Sequence, residues 1–221
     1  MWKALWWKEW RECSLYAGLA LLAVTQILGS GMNLPVIPFL GSGRGGEIPF
    51  LRADSERWLY FAFTAAIAGI VFGLQQSLSE SWRQTTLFLL HRPVPRRDLF
   101  LGKLGAGVSL LLVITMIPLL IYALWAATPG THASPFFWGM TEPWWRAILL
   151  AVICYLGAFL AGLRPARWLG SRTWPAIAAI VLGFFLIALE TPVVLNYVLL
   201  IAVCGLLVIS ILHVAQTREY P

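Results

Sequence analysis

Six apolar runs set the outline of this chain. They occupy residues 15–32, 58–78, 104–127, 144–163, 174–189 and 193–214, and polar or Gly/Pro-rich stretches separate them. A helix needs about 20 apolar residues to cross a hydrocarbon core about 30 Å thick, so each run reads as one membrane-spanning helix. The fifth is the shortest, and only Glu190, Thr191 and Pro192 part it from the sixth. That leaves two readings, two full crossings or a partly re-entrant hairpin around Glu190. The fold class is all-α: a polytopic membrane protein with six transmembrane helices, in one domain covering residues 1–221.

The polar stretches carry patterns of their own. At about 100° per residue, Trp2, Leu5, Trp6, Trp10 and Cys13 fall on one side of a helix, and Lys8, Glu9, Arg11 and Glu12 on the other. Indole rings suit the headgroup zone. Residues 1–13 are therefore expected to form an amphipathic interfacial helix, separate from the first span. Residues 33–57 form a loop, with flexible glycines from Gly41 to Gly46 and with Pro35, Pro38 and Pro49 opposing regular structure. The glycine run lacks the Lys and Ser/Thr of a phosphate-binding loop, and no strand precedes it. Residues 128–143 are a second loop, whose Phe136, Phe137 and Trp138 are expected at the interface. Residues 164–172 form a short basic loop and 215–221 a polar tail. Pro118 is expected to kink or loosen the third span.

The longest polar interruption that still reads as structured is 79–103. A helical run there carries Glu80, Arg83 and Gln84 along one edge and Trp82, Phe88 and Leu89 along another. Pro93 ends it, because proline lacks the amide donor and biases the residue before it away from helix. Val94-Pro95 is extended. Asp98 falls near the start of the next helix, where a carboxylate complements the dipole. The expectation is a short surface helix, a Pro-x-Pro elbow, and entry to the third span.

Composition agrees with the membrane reading. The chain is 59% apolar and 12% charged, against about 25% charged in soluble domains. Placing both termini on one side puts twelve Lys and Arg there and four on the other, namely Arg44, Arg52, Arg57 and Arg146. The positive-inside rule assigns the twelve to the cytoplasm, so 79–103 is a cytoplasmic loop and 33–57 faces outward. The same rule accounts for the net charge of +6 without a nucleic-acid partner. Glu9 and Glu12 interrupt the N-terminal stretch, which therefore is not read as a cleavable signal peptide.

Chemistry-bearing groups are sparse. Cys13, Cys154 and Cys204 form no CxxC or Cys/His cluster, so neither a zinc site nor a disulfide framework is indicated. The spans hold Gln26, Gln75, Gln76, Ser109, Thr115 and a few other hydroxyls. His91, His132 and His213 pair with no carboxylate at ligand spacing. HExxH, GxSxG and paired-aspartate patterns are missing. Almost no ionisable group is expected at membrane depth, so an intramembrane enzyme is disfavoured. No cofactor is indicated. Glu190 reads as the solvated outer end of a span, or as a polar group lining an outward vestibule. Glu80 reads as a helix-surface carboxylate pairing with Arg83 or Gln84, or as a contact to a cytoplasmic partner.

The pattern Glu80-x-x-x-x-Thr85-x-Leu87-x-Leu89-Leu90-x-x-Pro93-Val94-x-Arg96-x-x-Leu99-Phe100-x-x-Lys103 resembles the cytoplasmic loop between the second and third spans of type-2 ABC transporter permeases. These are the membrane subunits of many bacterial exporters. The N-terminal helix with Lys8-Glu9 and the six-span layout share the likeness. The resemblance implies a permease of the bacterial cytoplasmic membrane whose short coupling helix docks on a separate ATP-binding subunit. Two permease domains and two ATPases make the working unit. By the same resemblance Glu80, Arg83, Gln84, Thr85 and Leu87 lie on the coupling helix, with Arg92 beside it. Pro93 to Arg97, including Arg96, form the elbow. Trp2, Trp6, Trp10 and Lys8 belong to the interfacial helix, in contact with membrane lipid. The chain has no Walker A motif, so ATP hydrolysis falls to the partner. Here only three residues separate the last two spans, whereas family members often carry a longer outer segment. The alternative is a non-transporting scaffold or assembly subunit that docks a cytoplasmic partner through the same loop.

Overall fold

The computed structural model describes residues 2–32, 50, 55–82, 95–131, 135–164, 169–189 and 191–217. These form six α-helices: α1 (Trp2–Gly31), α2 (Ser55–Trp82), α3 (Arg96–Ala127), α4 (Glu142–Leu163), α5 (Leu169–Ala188) and α6 (Val193–Thr217). A 3-10 turn, Trp138–Thr141, leads into α4, and there is no strand among the described residues. All six helices are long and apolar enough to cross a membrane. The chain is an all-α polytopic membrane protein.

Three boundaries differ from the sequence reading, each for a local reason. No break follows Cys13. Residues 2–13 are the first turns of α1 itself, since no proline stands between Cys13 and Ala20 and the single glycine, Gly18, does not break the helix. Arg96 and Arg97, placed in the elbow, are the first two residues of α3. Its N-cap is Pro95, whose carbonyl accepts from the Asp98 amide at 3.0 Å. Proline stands just outside the helix, where its missing donor costs nothing. Arg172 lies inside α5, where its guanidinium donates to the Gly162 carbonyl near the end of α4 at 3.1 Å. This earlier start gives α5 20 residues, about 30 Å at 1.5 Å per residue, which favours two full crossings at the end of the chain. Helix α3 continues through Pro118.

The centre of the bundle is α4. Every residue from Leu150 to Leu163 is buried, as expected of a helix apolar on all sides. It packs most extensively on α2, then on α5, α6 and α3, while α1 lies against α2 and α3. Small residues permit the α2–α4 approach. A Cβ at Gly69 would meet the Ala151 carbonyl, one at Gly73 the Tyr155 carbonyl, and one at Gly162 the Ser77 hydroxyl. The pairings advance together along both chains, so α2 and α4 run parallel. In lipid, association rests on such contact and on interhelical hydrogen bonds, because acyl chains solvate leucine as well as protein does.

At one end, Phe50, Phe61, Tyr122 and Trp144 form an aromatic cluster, with ring centroids 4.6 Å apart for Phe50 and Tyr122 and 5.2 Å for Phe61 and Trp144. Phe136 joins it, whereas Phe137 and Trp138 are exposed. The Trp58 indole donates to the Pro143 carbonyl at 2.9 Å. Between α5 and α6 the buried Asn196 closes the hairpin, donating through Nδ2 to the Leu186 carbonyl at 2.7 Å. Outward faces of α1, α5 and α6 are apolar, with Leu15, Leu19, Val181, Phe185, Val198 and Ile209 among the exposed side chains.

Candidate functional site

At the opposite end four helices meet around buried polar groups. Lys103 sits two turns into α3, on the face that carries Phe100, Leu104 and Gly107 into the core. Its side chain is 1% exposed, and so is that of Glu9 on α1. Lys103 Nζ lies 3.7 Å from Glu9 Oε1, and Lys8 Nζ lies 3.8 Å from the same oxygen with its side chain about a third exposed. Stripping water from two ions costs several kcal/mol each, which mutual attraction offsets only when both are present. Neither helix can therefore bury its ion without the other.

Neighbouring contacts hold the two helices in register. The Trp10 indole donates to the Ala106 carbonyl at 3.2 Å. The Trp6 ring lies over Gly105, where a Cβ would stand 3.2 Å from Trp6 Cζ2. Both contacts join α1 to α3 near their N-termini, so these two helices also run parallel.

A second polar bridge lies beside the first. The Tyr155 hydroxyl on α4 donates to Gln76 Oε1 on α2 at 2.6 Å, and both residues are buried. The bridge passes over Gly107 of α3, where any Cβ would collide with Tyr155 Oη and Gln76 Oε1. Glycine is required there by the close approach alone. Glu9 and Cys13 lie within electrostatic reach of Tyr155. The cluster thus ties α1, α2, α3 and α4 at one level of the bundle, through one ion pair and one short hydrogen bond.

Two sequence expectations are corrected here. Glu9 was assigned to the polar face of a surface helix. In the continuous α1 it falls instead on the inward stripe Glu9, Cys13, Ala17, Val24 and Leu28, all buried. At about 100° per residue Glu9 already falls between Leu5 and Cys13 on the wheel of residues 1–13, beside the indoles, and its charge alone set it with the polar face. Lys103 stood one residue before the predicted third span and read as its flank, yet it belongs to the core. Gln76 was noticed as a polar residue in a span; Tyr155 and Gly107 gave no signal in isolation.

Of the predicted coupling residues, Arg83, Gln84, Thr85, Leu87, Arg92 and Pro93 lie outside the described residues. Glu80 falls in the last turn of α2, continuous with the span, and its side chain is also outside them, as is that of Trp2 on α1. Arg96 and Arg97 are exposed at the start of α3. Trp6 and Trp10 reach α3 as described, and Lys8 joins the Glu9 pair. Glu190 and His132 lie outside the described residues, and His213 is exposed on α6.

Among the described residues no three His, Cys, Asp or Glu side chains are grouped to hold a metal ion. What the arrangement does offer is mechanical: it joins the helices on both sides of segment 83–94 to their neighbours. No family model matches the sequence, and no curated protein or solved structure matches it significantly.

Proposed function

We propose that this chain is the membrane-spanning permease subunit of an ATP-driven exporter of the type-2 ABC class. In this reading it sits in a bacterial cytoplasmic membrane with both termini inside, and a separate ATP-binding subunit docks on segment 83–94 and its flanks. A second permease copy or a homologous permease completes the pathway.

One observation carries the reading beside the sequence resemblance. Segment 83–94 joins α2 to α3, and both helices enter the buried cluster within about two turns of it, through Gln76 and Lys103. A displacement applied to the segment is passed through Gln76–Tyr155 to α4 and through Lys103–Glu9 to α1. A switch needs a contact whose energy differs between two packed states. A buried ion pair has that property, since its worth depends steeply on separation and desolvation. ATP chemistry stays on the partner subunit.

The test is capture of the tagged protein in mild detergent. An ATP-binding subunit should come with it in about equal amount, and Glu80→Ala with Leu87→Ala should lose that subunit while the protein stays folded in the membrane. A folded protein that captures no ATPase would instead support a scaffold that docks another cytoplasmic protein.

A further inference from the structure

The outward face of α1 at the cluster end carries a second feature that does not depend on the permease reading. Lys3, Trp7 and Arg11 follow one another at spacings of four residues and are all exposed, Trp7 at 71%. Residues at i, i+4 and i+8 share one face of a helix. Neither Lys3 nor Arg11 is ion-paired among the described residues. Lys8 and Glu9, which do pair, fall off this face. Glu12, partly buried, lies about 100° round from Arg11.

The same face becomes apolar toward the middle of the helix. Leu15 and Leu22 are exposed, and Gly18 between them opens on free space, leaving a shallow trough. The 30 residues of α1 extend about 45 Å, some 15 Å beyond a hydrocarbon core about 30 Å thick. That excess equals the length of the first ten residues or so. Lys3, Trp7 and Arg11 therefore fall where headgroups lie, and the Leu15–Leu22 trough falls where acyl chains begin.

The geometry points to a binding site for one anionic phospholipid along α1. Its phosphate is held between the Lys3 ammonium and the Arg11 guanidinium, its glycerol region rests on the Trp7 ring, and an acyl chain follows the trough past Gly18. Guanidinium and ammonium groups donate to phosphate oxygens, and an exposed indole suits the headgroup boundary. A zwitterionic lipid keeps the phosphate but brings its own cation to the two basic side chains, so the charge match selects lipids with net negative charge.

Native mass spectrometry of the full chain, released from micelles holding equal amounts of phosphatidylglycerol and phosphatidylethanolamine, tests this. The wild type should retain phosphatidylglycerol at collision energies that strip phosphatidylethanolamine. Lys3→Gln with Arg11→Gln should weaken that retention about thirtyfold, the effect of two basic groups at an anionic surface. Lys3→Arg with Arg11→Lys should keep it, which separates charge from a folding defect. Equal retention of both lipids by the wild type, or unchanged retention by the double Gln variant, would overturn the site.

Discussion

Lys103 is the residue on which the cluster turns. It is the only Lys or Arg fully buried among the described residues, and it is buried because Glu9 is. Lys103→Met removes the inner partner and leaves the Glu9 carboxylate with Lys8, whose side chain is about a third exposed. We expect a loss of about 3–5 kcal/mol, the usual cost of breaking a buried pair from one side. Glu9→Gln with Lys103→Met removes both charges and should recover most of that loss. Denaturant titration of the three proteins in micelles would measure it, and a double variant no better than the single one would show that shape, not charge, matters there. Asn196 illustrates the contrary case of a neutral polar group, whose amide replaces backbone donors at the end of α5.

Among the elements, the α2–α4 seam depends most on missing side chains. Gly69→Ala sets a methyl against the Ala151 backbone carbonyl, which cannot rotate away, and should cost about 1–3 kcal/mol as an overpacked core does. Gly18→Ala on α1 meets open space and should be neutral or slightly stabilising through helix propensity. Thermal unfolding of the pair in one detergent separates packing from propensity; equal effects would contradict the seam. The seam was legible in principle, since glycines four apart favour close helix crossing, but hydropathy registers glycine only as mildly apolar. The six helices themselves were legible because about 20 apolar residues leave few alternatives. Their ends were harder to read, because the polar residues at the termini of α1 and α5 continue the helix as readily as the apolar ones. The Glu9–Lys103 pair was hidden for the same reason: each residue stood in a margin assigned to the surface.

For the whole molecule, six crossings return the C-terminal end of α6 to the face where α1 begins, and Ile211 and Ala215 pack there with Cys13 and Phe100. The proposed orientation, drawn from the positive-inside rule, puts that face in the cytoplasm. With the native cysteines replaced, Thr128→Cys should react with a membrane-impermeant maleimide on intact cells, and Arg97→Cys only after permeabilisation; the reverse pattern would invert the bundle. The central position of α4 also bears on how the protein is made. Its partners α5 and α6 follow it in the chain, so a nascent protein that has just released α4 still lacks the covering for Leu150 and Ile153. Acyl chains cover those side chains meanwhile at little cost. Synthesis can therefore pause after the fourth helix without exposing an adhesive surface, and α5 and α6 then close the bundle by displacing lipid.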